Sequence, residues 1–65
     1  MKTVASIVEN YIKSKPFLLN ALSQNIINLT SLSRIMMVEL NAEFDKNVKQ
    51  GAIVMALKRL TEDLD

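Results

Sequence analysis

Cysteine, histidine and tryptophan are absent from this 65-residue chain, and glycine and proline occur once each. Without cysteine there is no disulfide staple and no thiolate metal site. Without histidine there is no His general base and no Ser-His or Cys-His nucleophile pair. One glycine and one proline leave little of the turn chemistry that a many-stranded β fold requires. Nothing that remains points to an enzyme, a cofactor or a metal. Long apolar runs are missing as well. No stretch approaches the roughly 20 residues that span a bilayer. The apolar segment after Lys2 is interrupted by Glu9 and Asn10, and no small-residue cleavage site follows it, so it does not read as a signal peptide. The expected location is the cytoplasm, with no membrane partner.

What is present is apolar: 49% of the residues are hydrophobic, and the formal charge is only +1. A charge so balanced gives little generic attraction to nucleic acid. Its distribution is uneven, however. Residues 1–34 carry four basic side chains and one acidic, whereas residues 35–65 carry four basic and six acidic. A chain this short buries only about 60% of its unfolded surface, so a single small domain over residues 1–65 is expected.

The hydrophobic spacing is helical. Val4, Ile7, Val8, Tyr11 and Ile12 recur at i, i+3, i+4, i+7 and i+8, with Thr3 as N-cap and a stop near Ser14 ahead of the proline. Tyr11 falls on that stripe and is expected in the core. Pro16 suits the first position of a second helix carrying Phe17, Leu18, Leu19, Ala21 and Leu22. Ile26-Ile27 reads as a short extended pair. Asn28, Thr30 and Ser31 are candidate caps for a third helix at about 30–44, in which Leu32, Ile35, Met36 and Leu40 form the apolar spacing. Asn28-Leu29-Thr30 also fits a glycosylation sequon, but here it reads as a helix start. Asp45-Lys46-Asn47 breaks the pattern, with Asp45 or Asn47 as cap of a last helix, residues 48–60, in a pair with the third that extends over 47–62. On that last helix Ile53, Ala56, Leu57, Leu60 and Leu64 share one face; Gly51, Val54, Met55, Lys58 and Glu62 lie opposite. The fold class is all-α, a small bundle of three to four helices with a helix-turn-helix-like pair.

Two functions follow from that pair. In a helix-turn-helix unit the second helix offers polar residues at its N-terminal end to the major groove. Lys46, Lys49 and Lys58 would then contact phosphates, Asn47 and Gln50 are of the type that reads an adenine edge, and Lys13, Lys15 and Arg34 would add backbone contacts if the fold brings them to the same side. The leading expectation is a regulatory module of this type, DNA-binding and oligomeric. The alternative is a protein-interaction or dimerisation module with no nucleic-acid role. It rests on an apolar share larger than one small core hides, with Met37, Val38, Val54 and Met55 as the surplus and Gly51 allowing close approach of a partner helix. Met36 is expected to fill the core. Paired acids at Glu39/Glu43 and Glu62-Asp63 lack a third convergent ligand and read as solvated surface.

The segments Lys15-Pro16-Phe17-Leu18, Ala21-Leu22, Ile26-Ile27-Asn28, Ser31-Leu32-Ser33-Arg34 and Gly51-Ala52-Ile53-Val54-Met55-Ala56-Leu57-Lys58-Arg59 resemble the N-terminal helical segment of predicted prokaryotic regulators of amino-acid metabolism that contain an ACT domain. The resemblance runs from about Val4 to Leu60. It implies a winged-helix-like DNA-binding or regulatory module whose ligand is sensed by an adjacent domain. No hairpin wing is legible in this chain, and no ACT domain lies within its 65 residues. No catalytic residue carries over.

Overall fold

A computed structural model describes residues 3–44 and 47–63. They form four helices: α1 (Val4–Lys13), α2 (Pro16–Ser23), α3 (Leu29–Phe44) and α4 (Gln50–Asp63). The all-α bundle expected from the spacing is what forms. Helix α1 packs against α2 and α4, and α3 packs against α4.

Each boundary has a local cause. The Thr3 hydroxyl accepts from the Ser6 N–H at 3.1 Å, which satisfies one of the N–H groups a helix start leaves orphaned. Lys15 precedes the proline and is pushed out of the helical region, to φ −126° and ψ 86°, so α1 ends and Pro16 opens α2. Helix α2 closes on a Schellman motif. Asn25 adopts φ 57°, its N–H donates to the Leu22 carbonyl, and the Ile26 N–H reaches back to the Ala21 carbonyl. Asparagine is among the few non-glycine residues that visit this left-handed region routinely. Ile26 and Ile27, expected as a short extended pair, join no strand among the described residues. These two residues leave a helix cap, and Ile26 is exposed. Asn28 then caps α3, its side-chain oxygen accepting from the Ser31 N–H at 3.0 Å.

The start of α4 differs from the expected residue 48 and needs a correction. The helix begins at Gln50, and Lys49 supplies the first carbonyl, accepting from Ala52 and Ile53. Asn47 lies outside the helix and does not cap it. The reason is Val48, which is buried in the core while both its backbone groups bond to one side chain. Its N–H donates to Asn41 Oδ1 at 2.6 Å, and its carbonyl accepts from Asn41 Nδ2 at 3.3 Å. Helical geometry at Val48 would break that clamp. Asp45 and Lys46 lie outside the described residues.

The core is one cluster: Ile7, Val8 and Ile12 from α1, Leu22 from α2, Leu32, Met36 and Leu40 from α3, Val48, and Ile53, Leu57 and Leu60 from α4. Met36 fills it as expected, fully buried. The α3 stripe requires another correction. Ile35, expected in the core beside Leu32, Met36 and Leu40, is 58% exposed, and Ser33 is fully buried in the stripe instead. Leu29, Leu32, Ser33, Met36, Met37 and Leu40 follow the 3-4 spacing of one helix face, and Ile35 points away from it. Ser33 tolerates burial because its hydroxyl donates to the Thr30 carbonyl at 2.7 Å.

Candidate functional site

Among the described residues, the expected DNA contacts Lys15 and Lys58 line two different depressions. Lys13 is paired with Glu9 at 2.7 Å on the surface of α1. Lys15 sits 3.9 Å from the centroid of the Tyr11 ring and lines a cleft of about 380 Å³ between α1 and α3, whose other wall carries Glu39 and Glu43. A phosphate approaching Lys15 would meet those carboxylates. Lys58 and Arg59 border a different groove, of about 530 Å³, whose floor is Val4, Ala5, Ala52, Met55 and Ala56, with Glu62 beside them. The first depression lies at the C-terminal half of α1 and the second at its N-terminal end. The separation along a helix rising 1.5 Å per residue is about 10–15 Å. Arg34 is exposed on α3, and Lys49 is exposed just ahead of α4. Gln50 is half-buried, its side-chain amide donating to the Thr30 carbonyl at 3.2 Å, so it ties α4 to the start of α3. Asn47 is exposed. Lys46 lies outside the described residues.

In the α1–α3 cleft the Tyr11 ring packs against the core while its hydroxyl donates to Glu39 Oε2. Burial, followed by the hydrogen bond and the negative charge of Glu39, pushes the phenol up to about 12. The Ser14 hydroxyl, at the same cleft, donates to the Tyr11 carbonyl at 2.8 Å.

The candidate partner-surface residues divide. Met37 is half-buried and packs on the core. Val54 is half-buried. Gly51 is exposed, and a Cβ added there would meet nothing within 4 Å, so no contact inside the chain requires glycine. Val38 and Met55 are exposed, at 66% and 68%. Three further exposed apolar residues were assigned no surface role from the sequence: Phe17, Ile26 and Ile35.

Among the described residues, α3 sets exposed Ile35, Val38 and Ala42 in one stripe, with the polar Ser31 a turn before them. Ser31, Ile35, Val38 and Ala42 recur at i, i+4, i+7 and i+11, and all four are exposed. At about 100° per residue they lie nearly opposite the buried stripe of the same helix. Helix α3 thus has two apolar faces, one inside the bundle and one outside. The single apolar spacing Leu32, Ile35, Met36 and Leu40 expected for this helix merges the two, although the second spacing is present in the sequence. Comparison with protein-family models, with curated proteins and with solved structures finds no match to this chain.

Proposed function

We propose that this chain is a small helical interaction module whose working surface is the outer face of α3. The observation that carries the reading is the exposed Ile35–Val38 pair, extended by Ala42, on a helix whose opposite side already completes the core. Exposed apolar residues scattered singly need no explanation, whereas apolar residues in register on one helix face mark a docking surface. A benzoylphenylalanine in place of Val38 should cross-link to a polypeptide in cells, and one in place of the exposed Asn20 should not. Adding Ile35→Glu should abolish the Val38 adduct. Equal labelling from both positions, or none from Val38, would overturn the reading.

A second reading has one observation in its favour. Lys49 at the start of α4, and Lys58 and Arg59 on its outer side, are exposed on the second helix of an α3–α4 pair. This is the DNA-binding regulatory module that the resemblance to ACT-domain regulators implies. It predicts a nuclease-sensitive adduct from a cross-linker at Lys58 and salt-sensitive binding to random-sequence duplex. The separation of Lys13 and Lys15 from Lys58 and Arg59, and the carboxylates beside Lys15, favour the protein-interaction reading.

A further inference from the structure

Resting on the reading of α3 as an interaction surface, we infer that its partner is a second copy of this chain, docked with the two α3 helices parallel. Two observations make the stripe self-complementary. The first is its spacing. Ser31, Ile35, Val38 and Ala42 alternate by four, three and four residues, which is the seam of a left-handed two-helix pair. Ile35 and Ala42 take one set of seam positions, Ser31 and Val38 the other.

The second is the charge on the flanks. Arg34 and Glu39 are both exposed, and at 100° per residue they lie about 70° to either side of the stripe's axis. They are five residues apart. In a parallel pair, the flank preceding one copy's seam residue meets the flank five residues further along the other copy. Arg34 of each copy therefore faces Glu39 of the other, twice over by the two-fold symmetry. An antiparallel pair brings like flanks together, Arg34 near Arg34 and Glu39 near Glu39, and is disfavoured. Among the described residues the one ion pair within the chain is Lys13–Glu9, so neither Arg34 nor Glu39 has an ionic partner there. Glu39 is also held in place. Its Oε2 accepts from Tyr11, which leaves Oε1 for the guanidinium of the second copy.

The seam is short, about 16 Å from Ser31 to Ala42 at 1.5 Å per residue. It falls at the small end of specific interfaces, and the expected dissociation constant is roughly 100 µM. Sedimentation equilibrium of the whole chain from ~10 µM to ~1 mM should show monomer passing to a species of twice the mass. Arg34→Glu should weaken association at least tenfold, as should Glu39→Arg, because each sets like charges against one another. Mixing the two variants should restore affinity to within about threefold, since every flank then meets its opposite. The chain has no cysteine, so Ala42→Cys reports register directly. A disulfide between two copies at position 42 supports the parallel pair, and one formed only when Ser31→Cys and Ala42→Cys chains are mixed overturns it. Glu39→Arg removes the acceptor of Tyr11. If that variant fails to fold, Arg34→Glu and the cysteine variants decide. Monomer at 1 mM, or a species other than the dimer, overturns the inference. If the chain is monomeric but Val38 still cross-links a different polypeptide, this inference falls and the interaction reading stands. If the Val38 adduct is also missing, both fall.

Discussion

Tyr11 holds together the polar side of the α1–α3 contact: its hydroxyl donates to Glu39 and its ring face receives the Lys15 ammonium. The raised phenol makes the contact sensitive to strong base. A folded-state value near 12 against 10 in the unfolded chain means that the folded protein keeps a proton the unfolded chain has released. Stability attached to this group is therefore intact below pH 10 and declines between about pH 10 and 12. Thermal melts across that window should fall more steeply for the native chain than for Tyr11→Phe, and equal slopes would remove Tyr11 from the account. Asn25 illustrates a different residue-scale constraint. At φ 57° an alanine would be strained, so Asn25→Ala should cost about 1 kcal/mol in chemical denaturation, with Asn25→Gly nearly neutral. The helical stripe makes Tyr11's place in the core readable from sequence, but not its partner, because Glu39 is 28 residues away and only the packing of α1 near α3 brings it within reach. Ser33 is hidden for the opposite reason. Its hydroxyl is satisfied within its own helix, which allows a polar residue in the core without any apolar signal.

Elements, by contrast, follow from spacing and caps. The ends of α1, the proline start of α2 and the Asn28 cap of α3 are all local, and local chemistry decides them. The start of α4 is not local. Val48 is withheld from the helix by Asn41, a side chain on α3 seven residues earlier, and no rule of propensity anticipates that pairing. Asn41→Ala would leave the Val48 N–H and carbonyl without partners in a half-buried site. The expected loss is about 1–3 kcal/mol, read from denaturant midpoints. Amide exchange at Val48 should rise in the same variant, and an unchanged exchange rate would show that the clamp does not set this boundary. Helix α3 explains why the candidate surface was only partly legible. Val38 stood out as surplus, but Ile35 was absorbed into the core stripe because two apolar spacings overlap on one helix. A pattern of apolar residues cannot say which of two faces meets the bundle until the other helices are placed.

At the scale of the whole molecule, a high apolar share meets a small core. In so short a chain the net stability is a few kcal/mol, and one core truncation removes most of it. Among the described residues no helix is long and apolar enough to cross a membrane, and Ile35 and Val38 on α3 stand outside the core. This separates two kinds of apolar residue that composition counts alike. Ile53 has no exposed surface, and Ile53→Ala should cost about 2–5 kcal/mol, enough to unfold much of the population. Ile35 and Val38 are more than half exposed, so charging both should change the stability of the monomer by less than about 0.5 kcal/mol. Denaturant titration at low micromolar concentration, where a weak dimer is dissociated, makes the comparison fair. If the double variant Ile35→Glu, Val38→Glu unfolds like Ile53→Ala under those conditions, the outer stripe of α3 belongs to the fold of the single chain and not to its contact with another.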